Sequence, residues 1–196
     1  IEVNIGDEES KWGFKPCEFE ESLKEISLLE EASSGVSQLY GSSELASRIS
    51  YFNSSSYTPG YPLTYWSGGL SNYSNSYLFG QYIRPRYAQM TGTNGNSVFK
   101  AIMDEWCRYT QSNEMEAVAS VLETTPQQLI LDFWAAVYLK NGSGPYGFNG
   151  ESWADSINPY VYPSTSANKS NIGSGSAKFY TLTSGSYAPI TTSRLE

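Results

Sequence analysis

A chain of 196 residues with 39% hydrophobic and 15% aromatic content is long enough to bury one core of ordinary domain size. Twelve basic residues against twenty acidic ones, a net charge of -8, leave no Lys/Arg cluster for a nucleic-acid backbone, and no apolar run approaches the ~18 residues of a membrane helix. The absence of any histidine excludes Ser-His-Asp and Cys-His nucleophilic machinery and leaves no imidazole for zinc.

Residues 1–17 hold no sustained period and read as a leader arm, rich in acids that suit a solvated face. From Phe19 the apolar positions Phe19, Leu23, Ile26, Leu29, Val36 and Leu39 keep helical spacing until Gly41. Ser43 is placed to cap a short second helix ending at Phe52, and residues 53–60 carry turn chemistry. A Trp- and Tyr-bearing loop, 62–69, precedes a helix striped by Leu78, Phe79, Tyr82 and Ile83, which Pro85 should kink or end.

After a glycine loop at 92–95, Val98, Phe99, Ile102, Met103 and Trp106 mark the next helix. Cys107 falls on its apolar face, which favours a buried thiol over the one disulfide available, to Cys17. Asn113 with Glu116 forms a capping arrangement for a helix over 115–122. Thr125 followed by Pro126 opens the clearest helix, with the stripe Leu129, Ile130, Phe133, Trp134, Val137 and Tyr138, closed by Asn141 and Gly142. Leu129, Phe133, Trp134 and Val137 should be inaccessible and face Phe99, Ile102 and Trp106. Beyond them only Lys178–Leu182 alternates like a strand.

The expected fold is therefore mainly α, a helical core of about five to six helices with a loop-rich C-terminal tail containing a small β element. The expected division is a leader arm at 1–17, a helical domain at 18–142 and a loop-rich tail with short strands at 143–194. The start at Ile1 and the Leu195-Glu196 ending are expected to mark an excised piece, with 195–196 a cloning scar. Low charge, abundant Ser, Asn, Gly and Tyr, and sequons at Asn53, Asn72, Asn141 and Asn168 suit an exported surface.

Paired carboxylates remain the conceivable acid-base groups, at Glu20/Glu21 or Glu30/Glu31. Neighbours on a helix diverge by about 100°, so neither pair converges on one site. Glu30 lies on the apolar stripe, where a carboxylate needs a partner, a metal, a raised pKa or an escape to water. Gly142, Gly144, Gly147 and Gly150 follow a helix rather than a strand and form no phosphate loop. The rings of Tyr57, Tyr61, Tyr65, Trp66, Tyr146, Phe148, Trp153 and Tyr160 could build a platform for sugars or peptides. Economy of folding argues otherwise: Tyr57, Tyr61, Tyr65 and Trp66 should mostly pack around Leu78 and Tyr82.

Several strings, Leu28–Gly41, Arg48–Phe52, Tyr65–Gly69 leading into Asn75–Ile83, Leu131–Leu139 and Gly173–Leu182, resemble the helical half of the hyicolysin-like zinc metallopeptidases. The resemblance spans about residues 28–182. It implies an intact enzyme in which a His-Glu-x-x-His helix supplies two zinc ligands and the base, and a Glu in a Leu-Asn-Glu-Gly-like string the third ligand. Glu31 matches by that string; Glu30 matches by the count back from Gly41 and by the apolar face. Tyr65, Trp66, Tyr77 and Tyr82, inside or beside the matched strings, become the candidate substrate-side residues.

The His-Glu-x-x-His helix itself is absent: Cys17-Glu-Phe-Glu-Glu21 replaces both His and lies too close to Glu31. The expected protein is a non-catalytic portion, or a degenerate relative, of a secreted zinc metallopeptidase, forming the substrate-side wall of a cleft. Zinc and a peptide or protein substrate then belong to the full-length protein, and the chain as given is expected to be inactive and to bind no cofactor. A surface adhesion module that takes carbohydrate or peptide through loop aromatics, and a structural domain of a bacterial lipoprotein, are the competing readings. All three place the chain outside the cell or at its surface.

Overall fold

The computed structural model describes residues 45–66, 68–109, 114–163 and 172–181. The leader arm, the helix expected from Phe19, Ser43, Asn113, Asn168, Glu30 and Glu31 lie outside them. The described chain is mainly α: α1 (residues 45–52), α2 (Leu70–Thr91), α3 (Val98–Tyr109), α4 (Glu114–Val121) and α5 (Pro126–Leu139). A 3-10 turn, Ser152–Ser156, precedes two strands, β1 (Val161–Tyr162) and β2 (Phe179–Tyr180), which pair in parallel with Val161 opposite Phe179 and Tyr162 opposite Tyr180. β2 lies within the alternating run; β1, which ends immediately before Pro163, carries no pattern of its own.

α5 begins as its sequence dictates. The Thr125 hydroxyl accepts from Gln128 N at 3.2 Å and Pro126 occupies the first turn, where its missing N–H is no loss. It ends one residue early, at Lys140 in the left-handed region (φ 51°), whose N–H bonds Ala136 O. The Lys140 ammonium donates to Ile157 O at 3.0 Å, which holds the tail against the helix end.

Leu129, Phe133, Trp134 and Val137 are buried as expected, but the rings that Phe133 meets belong to α2 rather than α3, and Trp134 meets Phe179 of β2. The Phe133 ring meets Phe79 edge-on at 5.3 Å and Tyr82 at 5.6 Å. Phe99 is exposed, and Ile102 only borders the core. The reason is local: α4 follows α3 in the chain and packs back on it. The wide rings of α2 fill the space in front of α5.

Pro85 neither ends nor interrupts α2, which continues to Thr91 and stops at Gly92 in the left-handed region (φ 68°). A helix-interior proline costs about 3 kcal/mol or more. Burial of Tyr82 and Ile83 before it, and packing of Tyr87 after it, offset that cost. Cys107, expected as a buried thiol, is disulfide-bonded and only partly buried; the other cysteine, Cys17, lies outside the described residues. The glycine-rich stretch after α5 also enters the core: Phe148 meets Tyr82 at 5.9 Å and Trp153 at 5.0 Å, and Ala154 and Ile157 are buried below them.

Candidate functional site

The first turns of α2 are polar yet buried. Ser71, Asn72, Ser74 and Asn75 are closed off from solvent, and Asn72 and Asn75 fall in helical phase with Phe79 and Tyr82. Buried amides need partners. Asn72 Nδ2 donates to Pro62 O at 2.9 Å and Tyr65 O at 3.0 Å; Asn75 Nδ2 donates to Tyr61 O at 3.0 Å. The Tyr57 hydroxyl donates to Asn75 Oδ1 at 2.8 Å, and Ser71 Oγ accepts from Thr58 N at 3.3 Å. Loop 57–66 is thus bonded along most of its length to one end of one helix.

A strap, residues 172–177, holds the loop from the other side. Gly173 N donates to Gly60 O at 2.8 Å, Leu63 N to Ser174 O at 2.9 Å, and the Ser176 hydroxyl to Gly60 O at 2.8 Å. Trp134 Nε1 donates to Gly175 O at 2.8 Å and anchors the strap to α5. Both glycines are required: a Cβ at Gly173 would lie 2.6 Å from Pro62 Cγ, and one at Gly175 (φ 68°) 2.7 Å from Thr64 Cγ2.

These clamps turn the loop so that Leu63 points inward and the next aromatics outward. Tyr57 is buried against α2, as economy of folding requires, but Tyr65 and Trp66 are 65% and 55% exposed. The expectation that they pack around Leu78 and Tyr82 is overturned, because Asn72 captures the Pro62 and Tyr65 carbonyls and fixes the run between them. Trp66 stands edge-to-face with Tyr73 at 4.7 Å, and the Arg48 guanidinium lies 5.1 Å from the Tyr73 ring centre. Trp66 and Tyr73 form an exposed aromatic pair, and Tyr65, next to Trp66 in the chain, is exposed as well. Tyr77 is half-buried. Tyr82 is not beside them: it is closed off in the core, with its hydroxyl donating to Pro145 O at 2.8 Å.

Burial pushes the hydroxyls of both Tyr57 and Tyr82 well above the ordinary phenol range. The hydrogen bond to Asn75 opposes this at Tyr57, and the nearby Arg86 charge opposes it at Tyr82. Neither phenol is available as a base at neutral pH. On the opposite flank of the loop an open hollow of about 380 Å³ lies between Pro59, Tyr61 and Pro62 on one side and Ile172, Gly173 and Lys178 on the other.

Among the described residues no three His, Cys, Asp or Glu side chains come together to hold a metal. Glu30 and Glu31 lie outside those residues, and the chain has no imidazole. Two of the four sequon asparagines have structural duties instead. Asn72 is buried and uses its amide twice, and Asn53 bridges to Ser156 O (2.7 Å) and Asn158 N (2.8 Å).

Sequence reasoning missed Asn72, Asn75 and the strap. The phase of the two asparagines with Phe79 and Tyr82 was the signal that could have found the first two.

No family model matches the chain. The neutral metalloprotease ShpI of Staphylococcus hyicus is 32% identical over 142 residues, which cover 67% of this chain and 30% of that protein. The chain therefore spans less than a third of that relative's length. The match supports a metallopeptidase-like relationship and a protease-related origin. Among the described residues no helix is long and apolar enough to cross a membrane.

Proposed function

We propose that this chain is a non-catalytic portion, or a degenerate relative, of an exported zinc metallopeptidase, and that its aromatic edge forms the substrate-side wall of a cleft. The observation that carries this reading is the combination at residues 57–73: Tyr65, Trp66 and Tyr73 are all exposed, yet the backbone behind them is held by buried amides and the strap. Exposed rings on a rigid support bind with little loss of conformational entropy. Relationship to a metalloprotease supports a peptide as the occupant. The disulfide at Cys107 supports an oxidising compartment, hence export.

In this role the chain supplies contact and orientation. Zinc and its ligating histidines belong to other parts of the full-length protein. The same exposed edge favours a second reading, an adhesion module for carbohydrate or peptide, because stacked rings serve a pyranose face as well as a peptide.

Titration of tryptophan fluorescence with denatured casein peptides and with an oligosaccharide panel separates the two, with Trp66→Phe as the control. Quenching by peptides alone, lost in the variant, supports the wall. Protection by a glycan alone replaces it with the adhesion module, and no response to either ligand removes both. Extending the native gene upstream of Ile1 checks the other half, since a peptidase wall requires a His-Glu-x-x-His segment in the same protein.

A further inference from the structure

We infer that a disulfide clamps the segment around Cys17 over a second apolar sector of α3, the one formed by Phe99, Met103 and Trp106. The chain has two cysteines, Cys17 and Cys107. Cys107 is disulfide-bonded and no described cysteine is free, so its partner within the chain is Cys17. A disulfide holds its two Cα atoms about 4.4–6.8 Å apart. Closing it transfers two electrons and two protons from the two thiols to a disulfide oxidant, whose own bridge becomes two thiols.

The position of Cys107 on α3 decides what lies beneath that tie. Each helical residue turns by about 100°. Val98 and Ile102 share one sector: Val98 is in the core and Ile102 borders it. Phe99, Met103 and Trp106 follow at i, i+4 and i+7 on the next sector, and Cys107 at i+8 marks its far side. Beyond Cys107 comes the charged sector, where Lys100 meets Asp104 at 2.8 Å. Phe99 is 49% exposed, and Met103 and Trp106 are half-buried. The tie therefore stands at the border of an apolar sector that the core leaves partly uncovered.

The residues flanking Cys17 suit that sector. Trp12, Phe14 and Phe19 are large rings within five residues of it (17 - 12), and burying such rings favours docking. An extended run of that length reaches up to about 17 Å. Phe99 and Cys107, eight residues apart (107 - 99), are separated by about 12 Å along a helix axis. The occupant is this chain's own segment 12–19, which the bond delivers to α3 at an effective concentration that a free partner does not match. Cys17 also precedes the run bearing Glu30 and Glu31, so the same bond ties the start of that run to the helical core.

Peroxide oxidation of the methionines in the full chain, read by mass spectrometry, tests this. Met90, 37% exposed on α2, is the internal reference. Non-reducing digestion should yield one peptide pair joining Cys17 to Cys107. With the bond closed Met103 should oxidise slowly. In Cys17→Ser its rate relative to Met90 should rise about threefold or more, because the sector is uncovered. A second variant, Trp12→Ser with Phe14→Ser, keeps both cysteines and should give the same rise with the bond intact. Far-UV circular dichroism checks that each variant is folded, and the ring variant decides the matter should Cys17→Ser fail to fold. Absence of the joined peptide, or a bond between two copies of the chain, overturns the inference. Equal Met103 rates in the wild type and the folded ring variant overturn it as well, since the bond would then tie segment 12–19 without burying the sector.

Discussion

Trp134 and Gly175 stand 41 residues apart in the chain, and the indole Nε1 of the first donates to the carbonyl oxygen of the second at 2.8 Å. The bond joins the core helix to the strap that fixes the aromatic loop, so one buried side chain serves both packing and site geometry. Trp134→Ala should cost about 3–5 kcal/mol in a urea unfolding experiment, the range for truncating a buried large aromatic. Trp134→Phe keeps most of the packing and loses the bond, at about 1 kcal/mol. A Phe variant as unstable as the Ala variant would mean that the bond, not the burial, dominates.

Asn72 answers for two carbonyls at once, those of Pro62 and Tyr65. Asn72→Ala should therefore cost about 1–3 kcal/mol, the penalty of unsatisfied buried acceptors. It should also shorten the lifetime of the loop geometry, seen as faster acrylamide quenching of Trp66 and lower fluorescence anisotropy. Unchanged quenching would show that the strap alone holds the edge.

Two glycines with the same φ of 68°, Gly92 and Gly175, form an internal control. Alanine at Gly92 meets no atom within 4 Å, so it should cost only the conformational penalty, about 1 kcal/mol. Alanine at Gly175 adds the collision with the Thr64 methyl group and should cost more and displace the strap. Equal thermal shifts for the two variants would sink the argument that the strap needs a bare Cα.

The raised hydroxyls of Tyr57 and Tyr82 predict loss of stability at alkaline pH. In the unfolded chain a tyrosine deprotonates near pH ~10. In the native chain burial holds these two protonated to higher pH, so above that point the native state binds more protons than the unfolded state and unfolding becomes easier as pH rises. Tyr57→Phe and Tyr82→Phe should flatten the decline above pH ~10 and leave the neutral range to packing and the lost bonds. An unchanged alkaline slope in both would contradict the assignment.

Calorimetric titration with zinc should show no tight site in this chain, since carboxylates without imidazole or a thiolate cluster suit harder cations. Tight binding that survives Glu30→Gln together with Glu31→Gln would reveal a donor set elsewhere in the chain.

The local elements were legible because their causes are local. Thr125-Pro126 and the stripe behind it specify α5 through capping and a 3.6-residue period, which need no distant partner. The missing histidines closed off whole reaction classes from composition alone. Which faces meet was decided only in three dimensions. Pro85 sits mid-helix because packing on both sides offsets its cost, and Phe133 of α5 meets rings of α2 rather than α3 because α4 folds back on α3. The candidate edge has the same origin: nothing near Trp66 in the sequence says that Asn72 and Ser174 will hold its loop from two sides, at separations of up to 111 residues between Leu63 and Ser174 (174 - 63). Periodicity reports the face of one element, whereas exposure depends on what the rest of the chain brings against it.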